Sequence, residues 1–290
     1  AHEKIVLVTR ASACQSGRII TGNEGESVST RIHYRPFAMA DIGAAHALTT
    51  ELKWPHREDD WRFVAGLGNG FVAECDGRVV GTAFSWKYGA QAGSVGMIIV
   101  SPAHQGMGIG RGLTELALEE LGSRRAMLHA TPAGRPLYEK LGFVAIGALD
   151  QHQGNAGVPA LPSLPPSERL RPIGERDTPR LVELASRASG LDRTTVLPAL
   201  LESADGIGLE RDGELIGFAL FRRFGRGQAI GPVVTPYEAD PLRAQALIGH
   251  WLASSPGAFV RIDVPADSGL TDWLEALGLA RVDTVVKMAR

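Results

Sequence analysis

The stretch Met97-Ile98-Ile99-Val100-Ser101-Pro102-Ala103-His104-Gln105-Gly106-Met107-Gly108-Ile109-Gly110-Arg111-Gly112-Leu113 decides the fold. An apolar strand ends, Pro102 breaks it, and a glycine-rich turn enters a helix whose apolar stripe is Leu113, Leu116, Ala117 and Leu121. The first turn of a helix carries N–H groups with no intrahelical partner and the positive end of the dipole. Glycines at 106, 108 and 110 keep side chains away from those amides, so the turn predicts an anion site built from backbone. The dinucleotide fingerprint Gly-x-Gly-x-x-Gly fails in both registers, because Arg111 or Leu113 stands at the last position, and no Gly-Lys-Ser/Thr ending is present. What is present is Gln-x-x-Gly-x-Gly, from Gln105 to Gly110. A glycine-rich helix start without a ligand is the competing account; three such glycines cost on the order of 1 kcal/mol each against Ala, which weighs against it.

A second anchor is Leu137-Tyr138-Glu139-Lys140-Leu141-Gly142-Phe143. Together the two segments resemble the coenzyme A loop and the Tyr-Glu-Lys-x-Gly-Phe segment of the GNAT acetyltransferase superfamily, with the likeness running over about residues 31–149. The resemblance implies that the strand backbone at Ile98, Ile99 and Val100 runs beside the pantetheine arm of acetyl-CoA. It implies that the amides of Gln105, Gly106, Met107, Gly108, Ile109, Gly110 and Arg111 hold the pyrophosphate. It also implies that a backbone N–H of Ile98 or Ile99 holds the acetyl oxygen. The chemistry would be attack of an amine on a thioester, and the departing thiolate needs a proton. Tyr138 is the candidate donor, with packing of the last helix as its structural alternative. Trp54 and Thr131 are weaker candidates for the acceptor pocket. Glu51, His46, His33, Glu74 and His129 are conceivable bases, and none is singled out.

Working outward, the chain repeats itself. Arg35-Pro36 recurs as Arg171-Pro172 (171 − 35 = 136), and Asp41, Asp76-Gly77, Gly81 and Leu141-Gly142 recur at the same offset; Val100-Ser101-Pro102 faces Val234-Thr235-Pro236 at 134. The expected fold class is therefore mixed α/β: two tandem GNAT-like domains, each a twisted mixed sheet flanked by helices. Residues 1–30, with a short apolar run Ile5-Val6-Leu7-Val8, form an extension that is processed or outside the fold. Residues 31–149 form the catalytic domain, 150–168 a Pro/Gly-rich linker, and 169–290 the second domain. In the second domain the 134 offset places Ala239, Asp240, Leu242 and Ala244 opposite Gln105, Gly106, Gly108 and Gly110, and Leu274 stands opposite Tyr138. The glycines and the hydroxyl are lost together, so this half is read as degenerate. Arg222, Arg223 and Arg226 around Phe224 read as a solvated hairpin tip.

Bulk properties set the partner classes. A net charge of −2 offers no basic excess for nucleic acid, and no apolar run approaches a membrane span. Two cysteines, Cys14 and Cys75, supply neither a disulfide framework nor a Cys-based zinc site, so no metal is expected. The expectation is a cytoplasmic acetyl-CoA-dependent N-acetyltransferase acting on a small-molecule or amino-acid amine, with a homodimer as an open assembly. The rivals are a protein N-terminal or lysine acetyltransferase and a non-catalytic acyl-CoA sensor.

Overall fold

The structure, a computed structural model, describes residues 31–236 and 241–290. The expectations for residues 1–30, and those for Ala239 and Asp240, lie outside the described residues. The first half runs β1 (Ile32–Pro36), α1 (Ile42–Glu51), α2 (Glu58–Leu67), β2 (Asn69–Cys75), β3 (Arg78–Tyr88), β4 (Ala92–Val100), α3 (Ile109–Leu121), β5 (Arg125–Ala130), α4 (Arg135–Lys140) and β6 (Val144–Asn155). The second half repeats this order with β7 (Glu168–Pro172), α5 (Thr178–Ser189), α6 (Val196–Leu201), β8 (Ala204–Arg211), β9 (Glu214–Phe224), β10 (Gly227–Val234), α7 (Leu242–Ser254), β11 (Phe259–Pro265), α8 (Thr271–Ala276) and β12 (Ala280–Ala289). No helix among the described residues is long and apolar enough to cross a membrane.

The offset of 136 is visible in side chains. Arg35 grips Asp41 at 2.7 and 2.8 Å and also reaches Glu74. Arg171 grips Asp177 at 2.9 and 2.8 Å and also reaches Glu210. Asp41 stands just ahead of α1, and its carboxylate accepts the Ala38 N–H at 2.8 Å, one turn earlier.

The twelve strands among the described residues form one sheet in the order β1-β2-β3-β4-β5-β12-β6-β11-β10-β9-β8-β7. The halves exchange their closing strands: β12 pairs antiparallel with β5, and β6 pairs antiparallel with β11. Met288 of β12 is fully buried in the core of the first half, beside Leu113, Leu128 and Tyr138. This corrects the linker boundary. Gln151 to Asn155 are strand, and β6 crosses into the sheet of the second half. Gly154, read as a linker residue, is instead a packing residue, since a Cβ there would collide with the Gly278 carbonyl oxygen.

Strand alternation sorts the two faces. Ile98 and Val100 pack on the cluster under α3 and α4, and Met97 and Ile99 pack on the cluster under α1 and α2. The halves also touch reciprocally through hairpin tips 136 apart. Gly225 donates its N–H to Asp60 at 3.1 Å, and the Phe224 ring meets His56 edge-on at 5.3 Å. On the other side Arg193 lies 5.0 Å over the Tyr88 ring. The tip at Phe224 is therefore packed rather than solvated. Arg222 sits over Phe63 and Phe224, and Arg226 over Phe259 at 3.9 Å.

Candidate active site

The loop from Ser101 to Gly108 delivers the chain from β4 into α3. Gly106 and Gly108 both have left-handed φ, +80° and +79°, which an L side chain rarely adopts, and open space lies where a Cβ would be. The Gln105 side chain spans the turn, donating Nε2–H to the Val100 carbonyl at 3.1 Å. His104 donates its N–H to Ser101, Gln105 to Pro102, and Gly112 back to Gly108. Among the described residues, no partner accepts from the N–H groups of Gly106, Met107, Gly108, Ile109, Gly110 and Arg111. The Ile109 side chain is buried in the core, which anchors the helix start, while Met107 is exposed and Arg111 is engaged with Glu115 at 2.9 Å. These residues fit a pyrophosphate: consecutive donors, open space beside Gly106 and Gly108, and the positive end of a thirteen-residue helix behind.

Next to this loop the sheet opens. The parallel β4–β5 ladder holds only from Ala92–Arg125 to Ser94–Met127 and then stops. A bulge at Met97, with φ 49°, breaks the β3–β4 register between Gly96 and Ile99. The Thr82 hydroxyl clamps it by donating to the Met97 carbonyl at 2.8 Å. Ser101 donates to Val80 and Ile99 pairs with Thr82, so the Ile99 main chain faces β3. By alternation the N–H of Ile98 faces the opening.

Tyr138 shares the apolar cluster of Ile98 and Val100. Its ring meets Phe143 edge-on at 6.2 Å, and burial pushes its phenol up to about 12. Its hydroxyl lies beside Gly134, where a Cβ would sit 3.4 Å away, and Thr131 Oγ1 flanks the same spot. Thr131 also caps the turn before α4, accepting from the N–H groups of Gly134 and Arg135. Trp54 belongs to the cluster of Met97 and Ile99 and lies 5.8 Å from His56, whose ring meets Phe224 of the second half.

The base candidates separate. Glu74 and His33 are tied to each other, and Glu74 also to Arg35, whose hydrogen bonds hold the Glu74 carboxyl below its usual range. Glu51 accepts from Ser101 Oγ at 3.4 Å. His129 stands on β5 at the opening. Sequence reasoning offered the second half as a wall of the acceptor pocket but missed the contact of the Phe224 tip with His56 and Asp60, and it missed Gly112, where a Cβ would come within 2.6 Å of the Tyr34 hydroxyl. Only the 136 offset, applied to loop tips, carried a signal for the former. In the second half α7 starts behind Pro241, which has no N–H to offer, and Leu274 is fully buried in the apolar core.

Residues 67–145 match a family model described as an acetyltransferase (GNAT) domain, and residues 181–290 match a second model of the same description. The chain belongs to the GNAT acetyltransferases. It is a tandem member of this acyltransferase family, with a GNAT unit in each half. It is 29% identical over 194 residues to a Bacillus subtilis protein named uncharacterized N-acetyltransferase YitH, covering 66% of this chain and 67% of that one. It is 36% identical over 124 residues to the mycothiol acetyltransferase of Thermomonospora curvata, covering 41% and 40%. Among solved structures, a putative acetyltransferase from Pyrococcus horikoshii superposes with a TM-score of 0.73 at 19% identity, covering 92% of both chains. A tandem GNAT protein from the clavulanic acid biosynthesis pathway superposes at 0.66 with 18% identity, covering 90% of this chain and 98% of that one. These two likenesses show the shared GNAT fold.

Proposed function

We propose that this protein moves an acetyl group from acetyl-CoA to a primary amine of a small molecule or amino acid, with catalysis confined to the first half. The observation that carries the reading is the run of six N–H groups without partners among the described residues, Gly106 to Arg111, at the start of α3, with open space beside Gly106 and Gly108. In the second half the matching helix begins at a proline and the tyrosine is replaced by Leu274.

Acetyl-CoA would supply the activated acyl group as a thioester. The loop amides bind the pyrophosphate, and the unpaired edge of β4 orients the pantetheine as an added strand. The Ile98 N–H donates to the carbonyl oxygen as negative charge grows on it, the kind of preorganised donor whose loss costs about 10²–10³ in rate. Tyr138 stays protonated at every working pH, given its value of about 12, and so presents a hydrogen to sulfur rather than a like charge. A small acceptor is favoured over a polypeptide because the β9–β10 tip closes on the α1–α2 connection, with Gly225 against Pro55 and Asp60. One relative is named for acetylating mycothiol, which agrees with a small acceptor.

The test is calorimetry with acetyl-CoA followed by a panel of small amines scored by free-thiol release. Saturable binding and amine-dependent thiol release are expected. Binding without release from any amine favours the sensor reading; the absence of binding overturns the proposal.

A further inference from the structure

Ala126, Leu128 and Ala130 of β5 are buried under α3 and α4, so by alternation Met127 and His129 point to the opposite face, the one that carries α1 and α2. His129 is exposed there. The β4–β5 ladder ends at Ser94–Met127; carried two residues further, the same register sets His129 opposite Gly96, at the edge of the Met97 bulge. His129 therefore stands at the mouth of the opening that the Ile98 N–H faces. Tyr138 lies in the cluster on the other side of the sheet. Two titratable side chains thus flank one opening from opposite faces.

The groups around His129 come from the second half. Lys287 on β12 is its direct cross-strand partner. Asp263 on β11 also acts on it, and is itself held by Arg261 at 2.9 Å. Crowding of the ring by the surrounding strands, although part of its surface stays exposed, and Lys287 hold the imidazole below the ordinary histidine range, against the pull of Asp263. At neutral pH the ring is uncharged and keeps a free lone pair. His46 on α1 remains the competing imidazole.

We propose that His129 is the general base of the transfer, taking a proton from the incoming ammonium on the α1/α2 face while Tyr138 serves the departing sulfur from the other face. This rests on the acetyl-transfer reading of the first half. The ammonium gives one proton to His129. The freed nitrogen lone pair forms the C–N bond, and the C–S bond breaks with its electron pair on sulfur. The Tyr138 hydroxyl proton goes to that sulfur, and the second nitrogen proton restores Tyr138. His129 discharges its proton to water, so one proton is released per amide formed.

The experiment uses the full chain with two small nucleophiles: ethylamine, protonated at pH 7.5, and hydroxylamine, neutral there. His129→Gln should lower kcat/KM for ethylamine by about 10²–10⁴ while hydroxylamine loses less than tenfold. Acetyl-CoA affinity by calorimetry should stay within about twofold, which also certifies folding. The acid limb of the ethylamine pH profile should vanish in His129→Gln. In Lys287→Met it should move to higher pH, a shift that a purely structural role for His129 does not produce. Equal losses with both nucleophiles, an unchanged acid limb, or loss of the limb in His46→Gln instead would overturn the proposal. A wild-type protein that binds no acetyl-CoA overturns the acetyl-transfer reading as well, whereas one that binds and turns over as fast as His129→Gln overturns this inference alone.

Discussion

Met288 lies near the end of the chain, yet it fills the core of the first half with no exposed surface. Replacing it with alanine removes a buried side chain from a packed interior, which costs about 2–5 kcal/mol through lost transfer energy and the cavity left behind. For a cooperative unit of this size each kcal/mol lowers the melting temperature by roughly 2–4 °C. Met288→Ala should therefore melt some 4–20 °C below wild type by scanning fluorimetry, on the order of these coefficients taken together. Acetyl-CoA at about a hundred times its Kd should restore about 2.7 kcal/mol, since Met288 is not among the residues proposed to hold it. Hydrogen exchange then locates the damage. Amides of β5 (Arg125–Ala130) should exchange faster, because β12 is their neighbour. Leu274→Ala, in the core of the second half, should act on β11 instead. If Met288→Ala loosens β11 and leaves β5 protected, the strand exchange described above is wrong.

Other substitutions probe the site directly. Tyr138→Phe should leave acetyl-CoA binding near wild type and lower turnover by about 10²–10⁴ in a thiol-release assay. Gly108→Val puts a branched side chain at φ +79°, so the loop should distort and acetyl-CoA affinity should fall by at least tenfold by calorimetry, from strain of about 1–2 kcal/mol or more. His56 is held at about 4, chiefly by burial, with Arg261 and Arg222 adding to the effect against Asp60, and its Nδ1 is buried without a partner among the described residues. Between pH about 6.5 and 4 the unfolded chain binds a proton that the folded chain refuses. Stability from this group should be intact above that window and fall as pH falls through it, and His56→Phe should flatten that part of a denaturant-midpoint profile.

Some of this was legible residue by residue. The tight turn into α3 was legible because the spacing of Gly106 and Gly108 is a backbone demand that few sequences meet by chance; the structure gives both left-handed φ. The duplication was legible because Arg35–Asp41 and Arg171–Asp177 must keep their spacing to close the same ion pair. The choice between Ile98 and Ile99 was not legible. It depends on the Met97 bulge, which shifts the alternation, and no residue type announces a bulge there. The hairpin tip at Phe224 was misread because an Arg-rich turn looks solvated until its neighbour from the other half is known.

The sequence by itself determined the repeat, the order of elements in each half and the glycine-rich turn that leads into α3, since these depend on local propensity and short-range spacing. Tertiary structure alone decided which half each closing strand serves. Nothing in the local pattern of β6 or β12 names its neighbour, and the pairing is set by partners more than a hundred residues away: Met288 against Leu128, and Gly154 against Gly278. Pairing at such separation leaves no periodic trace in the chain, so only the folded molecule records it.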